Sequence, residues 1–240
     1  MACAAITGVS AASLKGTLIS LDSDSTARIT STSSDAANPP EPTWDERYLA
    51  APALWSGHAN AVLVAEASAL PPGTALDVGC GEGGDALWLA RQGWAVTGVD
   101  VSGVALARAA AQASAEGLTV DLLQIDATVT GLPAGPFDLV TSHFLHVPRD
   151  AFLALVDGMA QVTAPGGTLL VVGHDRSDIT SGVRRPQHPD RFVAASELAG
   201  RLDPAAWTVL AAEPRRRTEA DHDGAERTVH DAVLHARRRA

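Results

Sequence analysis

The stretch "ALDVGCGEGGDALWLARQGWAVTGVD", residues 75–100, decides the fold. It opens on a short apolar run through Asp77 and Val78 and turns through alternate glycines at 79, 81 and 83. A helical segment follows, and a second apolar run closes on Asp100. Glycines between a strand and a helix let the backbone approach a ligand where any Cβ would collide. The helix then offers its unpaired N–H groups to the same ligand. Asp100, 23 residues beyond Asp77, ends the second strand, the place from which a carboxylate can hold both hydroxyls of a ribose.

Outward from this stretch the chain keeps alternating. "VSGVALARAAAQASAEG" reads as a helix starting at Ser102 and stopping at Gly117, and "LTVDLLQID" as a third strand. "PFDLVTS" is a fourth strand. "PRDAFLALVDGMAQVT" is a helix opened by Pro148 and ended before Pro165, and "GTLLVVGHD" is a fifth strand. Near-continuous apolar strands between helices predict an α/β, Rossmann-like parallel sheet with helices on both faces. After Asp175 the pattern thins to an irregular connection and a helix in "FVAASELAGRL". "WTVLAAEP" and "RTVHDAVLHARR", joined by a polar turn at Asp221 to Gly224, predict an antiparallel C-terminal edge pair.

Toward the N-terminus, Thr43 with Glu46 three residues on forms a capping box, so order is expected to begin at "TWDERYLA". A second helix is expected from His58 to Leu70, stopped by Pro71, Pro72 and Gly73. Residues 1–42 are polar, rich in Ser and Thr, and close on Pro39, Pro40 and Pro42; they are expected to be a disordered tail. Residues 43–240 form one domain.

The 240 residues carry 18 Lys and Arg against 28 Asp and Glu, a formal charge of -10 that repels phosphate backbones and argues against a nucleic-acid partner. The basic runs Arg215–Arg217 and Arg237–Arg239 read as solvated. Cys3 and Cys80 lie far apart and form no disulfide framework, which fits a reducing cytoplasm. No run approaches the roughly 18 apolar residues of a membrane span. A monomer or weak homodimer in the cytoplasm, with no membrane partner, is expected.

Two ligand classes use a glycine loop of this kind. A dinucleotide brings two phosphates, which favour neutral residues and bare N–H groups. Here Asp77 precedes the loop, Glu82 lies in it and Asp85 follows it. Three acids are costly around a pyrophosphate and tolerable around a ligand carrying an amino group and a sulfonium.

On these motifs residues 43–240 resemble the class I S-adenosylmethionine-dependent methyltransferases, near the thiopurine and tellurite-resistance branch. The resemblance implies a seven-stranded fold with S-adenosyl-L-methionine as cofactor. It implies that Asp77, Gly79, Cys80, Gly81 and Gly83 line the methionine and ribose part, and that Asp100 takes the ribose hydroxyls. Val101 would pack on the adenine, Asp126 and Ala127 would hold its amino edge, and Ser142 would sit under the methionyl group. The segment holding "WDERY" and "ALWSG" resembles one that closes over cofactor and substrate.

A methyl acceptor would sit above the carboxyl ends of the strands. His143 and His146 after the fourth strand, and His174 after the fifth, are candidates to take a proton from a hydroxyl, amine or thiol, or else they position loops. No metal site is expected from them. Trp44, Tyr48 and Trp55 lie within twelve residues; they either stack on a flat acceptor or anchor a short helix. The expected function is methyl transfer to a small molecule through a thiol, hydroxyl or other heteroatom. A non-catalytic cofactor-binding module and an NAD-dependent oxidoreductase are the alternatives.

Overall fold

The computed structural model describes residues 41–180, 188–220 and 225–240. Residues 1–40 of the expected tail and the turn at 221–224 lie outside the described residues. The first helix opens on its capping box. Thr43 Oγ1 accepts from the Glu46 N–H at 3.3 Å, while Glu46 accepts from the Thr43 N–H at 2.7 Å. This starts α1 (Trp44–Leu49), and α2 (Ala61–Ala67) follows. The second helix is shorter than the expected 58–70. Asn60 caps it by accepting from Val62 N at 2.8 Å, and the Asn60 N–H is itself held by Asp85 at 2.6 Å, so the chain before it runs as a loop.

Then come β1 (Thr74–Val78), α3 (Gly84–Arg91), β2 (Ala95–Asp100) and α4 (Gly103–Glu116). Helix α4 matches its sequence signals at both ends. Ser102 Oγ accepts from Ala105 N at 3.1 Å, and Gly117 leaves the helix at φ 68°. Strand β3 (Asp121–Gln124) is only four residues long, because at the sheet edge it pairs with β2 alone. Asp126 caps a short α5 (Ala127–Thr130), which the sequence pattern did not predict. Next are β4 (Phe137–His143), α6 (Arg149–Val162), β5 (Thr163–His174), α7 (Ala195–Ala199), β6 (Trp207–Ala220) and β7 (Glu226–Arg238).

The seven strands lie in the order β3-β2-β1-β4-β5-β7-β6, with β7 antiparallel to both neighbours. The expected Rossmann-like sheet and its antiparallel edge pair are both present. Alternate side chains enter two cores. Leu76, Val140, Leu169, Val171 and Leu234 pack on one face with Phe152 and Met159 of α6. Ala75, Leu139, Leu170, Val172 and Val233 pack on the other with Leu63 of α2 and Leu89 of α3. Strands that bury both faces cannot alternate polar with apolar, which is why they read as continuous apolar runs.

The edge pair is longer than the sequence suggested. Strand β6 continues through Pro214 and the three arginines to Ala220, paired with β7 all the way to Ala220↔Glu226. Strand β5 ends its pairing with β7 at His174↔Asp231, so the last part of the β6–β7 ribbon overhangs the carboxyl edge of the sheet. Arg215–Arg217 are therefore part of a strand and not a solvated run. Arg215 reaches Glu66 on α2, and Arg217 Nε donates to Asp231 at 2.7 Å.

Candidate functional site

From β1 the successive strands step one way to β2 and β3, and from β4 the other way to β5 and β7. A crevice opens where this order reverses, above the carboxyl ends of β1 and β4. A cavity of about 1050 Å³ occupies it, with the glycine loop on its floor and the segment 44–62 as its roof. Gly79 and Gly81 have φ of 77° and 52°, and a Cβ on them would lie 2.6 Å from Leu145 Cδ1 and 2.9 Å from the Tyr48 hydroxyl. The loop thus runs close beneath its roof, which only glycine allows.

Asp100 fixes the loop from the end of β2. One carboxylate oxygen accepts from Gly81 N at 2.8 Å and the other from Ser102 N at 2.8 Å. Burial pushes its carboxyl up, against the pull of these N–H groups. Each oxygen keeps a lone pair for a hydroxyl beyond them. Val101, 43% exposed, and Asp126 with Ala127 stand beside Asp100 on the cavity wall.

Two of the loop acids line the cavity but are engaged by protein groups. Glu82 accepts from Leu54 N at 3.1 Å and Trp55 N at 3.2 Å in the roof, and pairs with Arg108 of α4 at 2.7 Å. Asp85 Oδ2 meets His143 Nδ1 at 2.7 Å. Burial opposes the charge on Asp85, but His143 and the Asn60 N–H hold its carboxyl below the usual value. Asp77 lies beneath both, 2% exposed. Burial first, then Asp85 and Asp100, push its carboxyl well up. Asp77, Asp85 and His143 each bring one ligand-type atom within 4.8 Å of the others. The three histidines do not converge: His143 is drawn to Asp85, while His146 and His174 pair with each other.

That pair forms the far end of the cavity. The two Nε2 atoms lie 3.3 Å apart, with the rings stacked at 19°. Trp44 stacks on the outer face of His146 at 12°, Trp55 tilts against it at 5.9 Å, and Phe144 packs on His174 at 4.8 Å. Phe144 holds a φ of 53°, a left-handed conformation unusual for a bulky residue and typical of functional sites. Arg217 of the overhanging ribbon lies 5.4 Å over its ring. The result is a box of aromatic rings.

Burial, then Arg191 and Arg47, push the His146 imidazole down to about 4, so it is neutral at pH 7. An unfolded histidine takes its proton near pH 6.5, the folded one only near pH 4. Between these values the unfolded state binds more protons, so stability is lost as pH falls through the window, up to about 3 kcal/mol. Thermal melts between pH 6.5 and 4 should show this slope in the wild type and a flatter one in His146→Gln. Equal slopes would show that His146 is not the group responsible.

Of the residues marked in the sequence, Gly79, Cys80, Gly81, Asp100, Val101, Asp126 and Ala127 line one end of the cavity. Trp44, Tyr48, Trp55, His143, His146 and His174 line its roof and far end. Asp77, Gly83 and Ser142 lie behind the wall. Asp77 accepts from Ala86 N at the start of α3, and Ser142 Oγ donates to Val78 O at 2.8 Å. Cys80 is buried and its thiol is pushed well up by burial, then by Asp77 and Asp100. The residues not foreseen are Phe144, Leu145 and Arg217 on the wall and Arg108 behind the roof. Arg108 is the one charged residue in an otherwise small-residue stretch of α4, which was its signal.

Residues 75–167 match the family model described as a methyltransferase domain. The chain is 37% identical over 113 residues to 2-methyl-6-phytyl-1,4-hydroquinone methyltransferase of Synechocystis, covering 45% of this chain and 35% of that protein. It is 28% identical over 148 residues to 2-heptyl-1-hydroxyquinolin-4(1H)-one methyltransferase of Mycobacteroides abscessus, covering 60% and 63%. The chain thus spans less than two thirds of the length of these relatives. Its fold is that of TehB from Haemophilus influenzae, at a TM-score of 0.65 and 21% identity over 82% of this chain and 66% of that one.

Proposed function

We propose that this chain, a member of the class I S-adenosylmethionine-dependent methyltransferases, transfers a methyl group to a small flat molecule held in the aromatic box. The observation that carries this reading is the two-part cavity. Glycines and carboxylates line one end, aromatic rings and a neutral histidine the other, with no barrier between them.

The family's cofactor is S-adenosyl-L-methionine, which supplies a methyl group on a sulfonium sulfur when bound. The residues present suit it. The glycine loop lies along the cavity floor with no side chain at Gly79 or Gly81, where a Cβ would strike Leu145 or Tyr48, and Asp100 keeps lone pairs for the ribose hydroxyls. Val101 would flank the adenine, with Asp126 and Ala127 at its edge. Asp77, Gly83 and Ser142 support the loop from behind. The domain assigned to this role is 43–240.

At the acceptor end Trp44, Tyr48 and Trp55 exclude water and orient a ring. The Nε2 atoms of His146 and His174 lie 3.3 Å apart, and burial holds the His146 imidazole neutral. A neutral imidazole can take the acceptor's proton, and we assign the role of base to His146, with His174 positioning it. His143, bound to Asp85, positions the base of the loop. The two curated relatives are named for a hydroquinone and a hydroxyquinolinone, both flat rings bearing oxygen. A ring hydroxyl is therefore the first acceptor to try, with thiols and amines after it.

Calorimetric titration with S-adenosylhomocysteine, with reduced nicotinamide dinucleotide in parallel, tests the reading. Micromolar binding of the first and none of the second is expected, followed by methylation in a panel of phenols, thiols and amines. No binding of the first would overturn the reading. Binding without turnover of any acceptor would favour a cofactor-binding module instead.

A further inference from the structure

The roof of the cavity is joined to its floor by a small set of charged contacts. We infer that Glu82 and Arg108 form a latch that holds the 44–60 segment closed over the cofactor and sets how fast S-adenosylhomocysteine leaves. This rests on the cofactor reading above.

Glu82 stands between Gly81 and Gly83, so its backbone belongs to the floor of the cofactor cleft. Its carboxylate belongs to the roof, where one oxygen accepts from both Leu54 N and Trp55 N. The other oxygen pairs with Arg108 Nη1 at 2.7 Å, and Arg108 Nη2 donates to Tyr48 O at 2.7 Å and Ala51 O at 2.8 Å. Those two carbonyls lie at and just beyond the C-terminal end of α1, and Tyr48 O also accepts from Ala51 N at 3.3 Å. One guanidinium thus ties three separate groups together, a geometry that a planar fork provides and an ammonium does not. Both side chains are largely shielded, 28% and 13% exposed, so water competes poorly for these bonds.

The other roof contacts are anchors at the two ends of the segment. Asp45 accepts from Ser102 Oγ at 2.6 Å and Val104 N at 3.2 Å, and Asn60 N donates to Asp85 at 2.6 Å. Between these ends Trp55 Nε1 donates to the Tyr48 hydroxyl at 3.0 Å, which joins roof to roof. Among the described residues, Glu82 and Arg108 supply the polar contacts that bind the middle of the segment to the body. A ligand lying on the glycine loop beneath Tyr48 and Trp55 cannot leave until the middle lifts. Glu82 joins the loop, through its backbone, to the roof, through its carboxylate, so lifting the roof breaks both of its bonds to Leu54 N and Trp55 N. Glu82 and Arg108 are positioning residues and touch neither reacting group.

The test is stopped-flow displacement of S-adenosylhomocysteine followed by the fluorescence of Trp44 and Trp55. Arg108→Ala is expected to raise the dissociation rate roughly tenfold or more, through the loss of its three hydrogen bonds to Glu82, Tyr48 O and Ala51 O, with the association rate nearly unchanged. Glu82→Gln should fall between it and the wild type. The double variant should be no faster than Arg108→Ala, because the two side chains act as one unit. Arg108→Lys should restore the slow rate only in part. Hydrogen exchange on the ligand-free protein reads the latch without the cofactor. Amides of 46–56 should exchange faster in Arg108→Ala, while those of β1 and β4 stay as protected as in the wild type. Unchanged roof exchange, or a dissociation rate within threefold of the wild type, would overturn the latch. If the wild type binds no S-adenosylhomocysteine, the cofactor reading fails and the exchange arm still decides whether the latch exists.

Discussion

Asp100→Ala is expected to raise the dissociation constant for S-adenosylhomocysteine at least a hundredfold in a calorimetric titration, with the sheet still folded by circular dichroism. Two losses combine. The carboxylate that would accept from the ribose hydroxyls is gone, and charge-assisted hydrogen bonds of this kind contribute about 1.5–3 kcal/mol each. The same carboxylate holds Gly81 N and Ser102 N, so the glycine loop also loses its fixed shape before any ligand arrives. Asp100→Asn keeps the size of the side chain but only one acceptor oxygen, and should fall between the two. A dissociation constant within tenfold of the wild type in Asp100→Ala would place the ribose elsewhere.

His146→Ala is expected to lower turnover about 10²–10⁴-fold, the span of a general base, once an acceptor has been found. Binding of S-adenosylhomocysteine should stay within threefold, because His146 stands in the aromatic box and not beside Asp100. His174→Ala should cost less, since it removes the partner that positions His146 and leaves the His146 ring able to accept a proton. Turnover of the wild type should hold well below pH 6.5 and decline on the acid side only toward pH 4, since burial and the two arginines hold this imidazole down to about 4. If the loss in His146→Ala is less than about threefold, alignment of acceptor and methyl alone carries the reaction.

How much of this was legible depends on how local each signal is. Strand β2 and helix α4 end where the sequence pattern predicts, because an N-cap serine, a left-handed glycine and a terminal aspartate act within one or two residues. The glycine-loop end of the cavity was legible for the same reason: one loop and the ends of two neighbouring strands build most of it. That His146 and His174 share one rim follows from placing strands four and five side by side, as the structure has them; that their rings pair, apart from His143, depends on side-chain geometry no sequence pattern carries. The length of β6 was hidden by Pro214 and a run of arginines, which at a sheet edge are tolerated and in a central strand are not. The acids around the loop read in the sequence as neighbours tolerable beside a cationic ligand; what the structure shows of Glu82 and Asp85 is that they bind the roof and His143, contacts across more than twenty residues that no local pattern signals.

The overhang of β6 and β7 divides the cavity between two kinds of construction. The cofactor end is made from turns locked to the parallel strands, where a Cβ at Gly79 or Gly81 already meets a neighbour. The far wall, with Arg217 over Phe144, comes from a two-stranded ribbon that touches the parallel sheet only through β7. A change in residues 215–219 is therefore expected to alter the shape and charge offered to an incoming molecule while the bonds from Asp100 to Gly81 N and Ser102 N stay in place. Such a scaffold can exchange one clientele for another while keeping its glycine loop.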